Sequence, residues 1–180
     1  MKSALKGDKL TGYTSYLMSA EELIKKKCLV KHAGEFYPDI FEEMMQVWAA
    51  TEILTVTKEI QESKLPAETV WNEILQVDLI QMVKSHSMLI TYQAFKRVCE
   101  NTSISEPLWR QLLRCLKVFA ANDLLNNTVA LHTSGYFTRE HQEILRTFYK
   151  SSLKDMRPHA LNIIESYFHS DNVLNSCIGN

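Results

Sequence analysis

The sequence predicts an all-α chain, a single antiparallel helical bundle of about five to six helices. Three observations carry that expectation. Only five glycines and four prolines occur in 180 residues. Between them, apolar residues recur at three- and four-residue spacing, which is the helical period. Strictly alternating stretches, which would mark strands, are nearly absent. A chain of this length is one domain by default and buries roughly 70% of the surface its unfolded form exposes.

Each element follows from local chemistry. Ser19 and Glu22, three apart, read as a capping box opening a short helix over 19–31. Gly34 ends that pattern, and Pro38 with Asp39 starts another, since proline loses nothing in a first turn and an acid favours the positive helix end. From Asp39 the residues Phe41, Met44, Met45, Trp48, Ile53, Val56 and Ile60 form a broad stripe until Ser63–Pro66 interrupts it. The next helix is expected from Pro66 to about Cys99. Trp71, Ile74, Leu75, Asp78, Met82, Leu89, Tyr92 and Lys96 track one face, while Val77, Ile80, Val83, Ile90 and Val98 add a second apolar side. Two such sides imply neighbours on both, with Trp71 in the core, where its loss would cost about 3–5 kcal/mol.

Asn101 to Ser105 reads as a polar connection, with Ser105 as cap for a helix from Leu108 to about Leu125. Asn126 and Asn127 can end it, because asparagine tolerates the left-handed conformation. The stretch through Gly135 is expected to be irregular. Thr138 opens a helix to Met156 with Glu140 in its first turn, Arg157-Pro158 is a boundary, and a shorter helix runs from Pro158 to about Phe168. The tail SDNVLNSCIGN looks frayed.

Composition excludes several function classes. Lys plus Arg total 20 and Asp plus Glu total 21, a net charge of -1, which is too little positive charge for a dedicated nucleic-acid binder. The apolar stretches 74–90 and 112–125 are broken by Asp78, Lys84, His86, Arg114, Lys117 and Asp123, so neither reads as a membrane span. The first residues carry neither a secretory apolar block nor an arginine-rich transit pattern, which points to a reducing, cytosol-derived compartment. Cys28, Cys99, Cys115 and Cys177 stand singly and are expected as free thiols. Asn101-Thr102-Ser103 and Asn126-Asn127-Thr128 match the glycosylation sequon and read as loop chemistry.

The search for chemistry finds no glycine-rich phosphate turn, no HExxH, no calcium loop and no paired Glu-x-x-His, so no metal or cofactor site is expected on the chain. Asp78 and His86 form the most suggestive polar pair. A carboxylate orienting an imidazole is one reading; a bond from each to a neighbouring helix is the other, and two turns, about 11 Å, rule out direct contact along one straight helix. His132 beside Thr133 and Ser134 reads as a solvated loop residue, and His141 and His159 as surface positions. Lys25-Lys26-Lys27 is either a phosphate patch or a solvated helix end, and Met44, Met45, Met82 and Met88 are either an adaptable groove or core filling.

Several strings taken in order do more. Lys6-Gly7-Asp8-Lys9-Leu10 followed by Ser15-Tyr16-Leu17, then Val70-Trp71-Asn72, Val77-Asp78-Leu79 and Ser85-His86, then Met156-Arg157-Pro158-His159-Ala160 and Ile163-Ile164-Glu165-Ser166-Tyr167, resemble the C-terminal helical region of the acyl-CoA oxidase family. The resemblance implies a parent enzyme of fatty acid β-oxidation that uses FAD to convert acyl-CoA to trans-2-enoyl-CoA and reduces O2 to H2O2. Its catalytic glutamate and flavin-binding half would lie upstream, leaving no catalytic, cofactor-binding or metal residue on this chain. Residues 1–18 would be the remnant of a linker, 19–168 the C-terminal bundle, and 169–180 a frayed or truncated tail. The partners implied are the upstream half, a second copy in a homodimer, and acyl-CoA in the parent enzyme, with no nucleic acid and no membrane span. The compartment implied is the peroxisome, although the chain shows no C-terminal Ser-Lys-Leu signal; otherwise it is the cytoplasm. Ala120–Leu125 and Ser85-His86-Ser87-Met88 depart from the family pattern, and the absence of a further helical extension after Asn180 suggests a divergent or truncated member. A non-catalytic helical interaction module or an inactive oxidase-like protein is the alternative.

Overall fold

The computed structural model describes residues 10–166, and among them every regular element is helical. A 3-10 segment, Gly12–Ser19, leads into α1 (Ala20–Leu23). Then come α2 (Pro38–Glu62), α3 (Gln76–Cys99), α4 (Glu106–Asn126), α5 (Thr128–Thr133), α6 (Arg139–Met156) and α7 (Ala160–Glu165). Among the described residues these are about seven helices where five to six were expected, because the short helix α5 occupies a stretch expected to be irregular.

The long central helix organises the rest. In α2, Phe41, Met44, Met45, Val47, Trp48, Ala49 and Ala50 are all buried, so this stretch is enclosed on every side. α3 lies antiparallel to it: Lys96 near the end of α3 bonds Asp39 and Glu42 near the start of α2. α4 and α6 form a second antiparallel pair, joined by Tyr149, whose hydroxyl donates to Asn122 Oδ1 at 3.0 Å. Phe36, Phe41 and Phe148 meet where the pairs join, with ring centroids 5.1 to 5.5 Å apart, the separation at which offset aromatic pairs attract. A smaller cluster, Val56, Val70 and Leu75, closes the far end of α2.

Several local expectations are corrected. Ser19 makes no cap: its Oγ donates to the Tyr16 carbonyl at 3.1 Å, and α1 stops at Leu23 instead of reaching Lys31. The chain leaves the helix because the Cys28 amide donates to the Tyr136 carbonyl at 3.0 Å, tying this segment to the turn before α6. That turn needs Gly135, whose φ is +69° and whose carbonyl accepts from Lys27 Nζ at 2.8 Å; a β-carbon there would lie 2.9 Å from the same nitrogen. Ser105 precedes α4 in extended geometry but caps it with no side-chain bond. Part of the stretch expected to be irregular before Gly135 is helix α5.

The largest correction concerns the helix from Pro66 to Cys99. It is interrupted: one turn at Ala67–Thr69 passes into a π-helical turn, Val70–Ile74, in which the Leu75 amide reaches back five residues to the Val70 carbonyl at 3.0 Å. The extra residue in this turn rotates the preceding side chains. Trp71, expected in the core, is 48% exposed, and Val77, Ile80 and Val83 face outward rather than a second neighbour. Among the described residues the bundle lies on one side of α3 only. The residues assigned to a linker, 12–18, form the 3-10 segment that buries Tyr16. The end of the last helix and the tail over 169–180 fall outside the described residues.

The two tryptophans are therefore expected to differ. Trp48→Ala should lower the unfolding free energy by about 3–5 kcal/mol, and Trp71→Ala by no more than about 1 kcal/mol. Urea unfolding followed by circular dichroism reads both, and equal losses would return Trp71 to the core.

Candidate functional site

The outward side of α3 carries Val77, Ile80, Val83, Ser87, Thr91, Ala94 and Val98, spaced three or four apart and all exposed. None is charged. At 1.5 Å per residue the stripe is about 32 Å long, and Trp71 and Ile74, each about half exposed, extend it into the π turn. A helix face in lasting contact with water is normally charged or strongly polar, so this one has the composition of a contact surface. The flanking cations are held aside. Lys84 Nζ donates to Asn127 Oδ1 at 2.9 Å, and Arg97 donates to the Tyr13 hydroxyl at 3.0 Å with its guanidinium 4.8 Å from that ring's centre. Thr91 donates its hydroxyl to the Ser87 carbonyl at 2.9 Å, so the stripe satisfies its own polar group.

The opposite side of α3 fixes the rotation that aims the stripe outward. Tyr92 donates to the Pro38 carbonyl at 2.8 Å, Gln93 to Glu42 at 2.9 Å, and Lys96 to Asp39 and Glu42. Burial alone would lower the pKa of the Lys96 ammonium, but hydrogen bonds to the two carboxylates outweigh it and raise it. Ser85 is fully buried and bonds the Met82 carbonyl at 2.9 Å. His86 stacks on Tyr16, whose hydroxyl donates to its Nδ1 at 2.9 Å. Burial lowers the His86 pKa and raises that of Tyr16, so both stay neutral.

The other singled-out residues take structural places. His86 is bonded to Tyr16 and not to Asp78; Asp78 instead lies near Glu52, whose carboxyl burial pushes up, with a further rise from the Asp78 charge. His132 is not solvated: its Nδ1 donates to the Phe137 carbonyl at 3.2 Å and its Nε2 meets the Gln142 amide at 3.1 Å, binding α5 to α6. His141 closes a capping box, with its Nδ1 accepting from the Thr138 amide at 3.1 Å. Sequence reasoning missed that role because histidine is not among the usual residues at this position. Lys26 pairs with Glu43 and Lys27 with the Gly135 carbonyl, so two of the three lysines are tied to the bundle. Met44 and Met45 are core, and Met82 and Met88 pack half-buried against it. Cys28, Cys99 and Cys115 are free thiols whose pKa burial raises; Cys177 lies outside the described residues. Among the described residues no group of three or more His, Cys, Asp or Glu could hold a metal ion, and no helix is long and apolar enough to cross a membrane.

Fold and stripe together define an all-helical domain with a closed core on one side of α3 and an exposed, uncharged stripe on the other. Residues 30–180 match the family model described as acyl-CoA oxidase, and the chain belongs to that family as its C-terminal helical domain. It is 23% identical over 160 residues to peroxisomal acyl-coenzyme A oxidase 2 of Rattus norvegicus, covering 85% of this chain and 23% of that protein. It superposes on acyl-CoA oxidase 1 of Arabidopsis thaliana with a TM-score of 0.87 at 22% identity, covering 95% of this chain and 26% of the other. On acyl-CoA oxidase-1 of Caenorhabditis elegans, complexed with FAD and ATP, the TM-score is 0.84 at 19% identity, covering 99% and 27%. The chain thus spans about a quarter of the length of the relatives it matches.

The buried histidine gives a pH prediction. Because the folded pKa of His86 lies below its ordinary value of 6.5, the unfolded chain takes up that proton first. The contribution of His86 is complete above the ordinary value and is lost as pH falls through the folded one. Wild type should therefore lose stability relative to His86→Gln as pH falls from about 7 through the lowered folded pKa. Parallel urea melts across this range would contradict a buried neutral imidazole.

Proposed function

We propose that this chain is the C-terminal helical part of a flavin-dependent acyl-CoA oxidase, and that it serves assembly rather than chemistry. The parent reaction is oxidation of acyl-CoA to trans-2-enoyl-CoA with O2 reduced to H2O2, in the β-oxidation of fatty acids, and the compartment on this reading is the peroxisome. The single observation that supports it is the uncharged stripe of α3. A domain about a quarter as long as its relatives presents, on one side, a surface suited to being covered by the remainder of such an oxidase. Closure of a homodimer belongs to the same proposal.

The described residues do not fit FAD. No glycine-rich turn delivers backbone amides to a pyrophosphate, and the cavities are open surface grooves rather than a deep apolar slot for a flavin ring. The flavin and the general base are accordingly assigned to the upstream half. What this chain's residues do on this reading is hold α3 in place, through Lys96, Tyr92 and His86, so that the stripe meets its partner in register.

Two measurements test the reading. The purified chain is expected to carry no flavin and to form no H2O2 from a saturated acyl-CoA; a stoichiometric yellow cofactor would overturn the assignment. With its stripe uncovered, the chain should self-associate in sedimentation experiments. Ile80→Asp, at a position 65% exposed, should reduce that association while changing the unfolding free energy by no more than about 0.5 kcal/mol. A compact monomer at all accessible concentrations would remove the contact-surface argument.

A further inference from the structure

Away from the stripe, the side of α4 that faces the end of α6 and α7 carries Arg110, Arg114 and Lys117, at positions i, i+4 and i+7. This spacing sets all three along one face. They wall two adjoining cavities that share Arg114. One, of about 580 Å³, is bounded by Arg110, Gln111, Arg114 and His159, with Pro107, Leu108 and Ile163 as its apolar wall. The other, of about 400 Å³, is bounded by Arg114, Lys117, Ser151, Ser152 and Asp155.

The charges here are unequally committed. Arg110 pairs with Glu106 one turn back. Among the described residues neither Arg114 nor Lys117 pairs with a carboxylate, Asp155 included. Both are half-buried. Arg114 is aimed by Gln111, whose Oε1 accepts from its Nη1 at 3.0 Å. That bond leaves Gln111 Nε2 buried with no acceptor among the described residues. Two cations with no carboxylate partner among the described residues, and Ser152 beside them, converge on a volume suited to a small molecule.

We infer that this groove binds a small phosphate-bearing molecule, its phosphates held between Arg114 and Lys117, and its uncharged part against Pro107, Leu108 and Ile163. Arginine supplies the fork that matches phosphate geometry, and lysine the point charge beside it. The inference is independent of the oxidase assignment, since it uses neither the stripe nor any family property.

Calorimetric titration of the full 180-residue chain at constant chloride tests it, with inorganic pyrophosphate, ADP and adenosine as probes. Pyrophosphate and ADP should bind and adenosine should not, with ADP the tighter of the two if the apolar wall is used. Lys117→Gln, which removes no hydrogen bond made among the described residues, should weaken ADP binding at least about tenfold, and Arg97→Gln, on α3, should leave it unchanged. Gln111→Glu carries the sharpest sign: it gives Arg114 an ionic partner and removes the orphaned donor, so its melting temperature should rise while ADP binding is lost. Equal affinity in wild type, Lys117→Gln and Gln111→Glu, or no heat with pyrophosphate and ADP at millimolar concentration, would overturn the inference.

Discussion

The bundle depends on the enclosure of α2. Its stretch from Phe41 to Ala50 is buried almost all round, and a helix so placed has to be surrounded before it is stable. α3 supplies one wall, α4 and α5 another, and Phe36 with Phe148 closes the remaining edge. The Lys96 ammonium, shared between Asp39 and Glu42 while only 15% of its side chain is exposed, pins α3 against the start of α2. Such partly buried charge pairs add little net stability, but they disfavour alternative registers, because a shift would leave desolvated charges unpaired.

That pinning links the core to the surface. A helix has one rotational setting, so fixing Tyr92, Gln93 and Lys96 inward also fixes Val77, Ile80 and Val83 outward. On our proposal this uncharged face meets the remainder of an oxidase, while the groove along α4 lies on a different side and is chemically its opposite, cationic where the stripe is neutral. One small domain therefore presents two surfaces whose partners, on our reading, differ in kind.

The sequence made the long elements legible and the short ones less so. α2, α4 and α6 were readable from their apolar period and from Pro38, Pro107 and Thr138 at their starts, because each is long enough for periodicity to be decisive. α1 and α5 span too few residues to show a period, and their limits depend on tertiary bonds such as Cys28 to the Tyr136 carbonyl. The family resemblance was legible from short strings in order, including those around Trp71 and Arg157. The stripe was misread as core for a physical reason: apolar residues that cover a partner look the same in sequence as residues that cover the chain's own interior. The groove escaped notice because Arg114 and Lys117 counted in the sequence only as charges that break an apolar stretch, and nothing local shows that the end of α6 lies beside them.

The π turn at Val70–Ile74 bears on how this domain tolerates change. Adding one residue to an α-helix advances everything before it by about 100°, so Trp71 and Ile74 owe their outward position to the length of the segment and not to their own chemistry. A substitution at either position leaves the phase intact. Loss of a single residue between Trp71 and Leu75 would restore a continuous helix and turn the indole by about 100° from its present outward setting. Along this stretch, divergence among related chains is freer in residue type than in residue number.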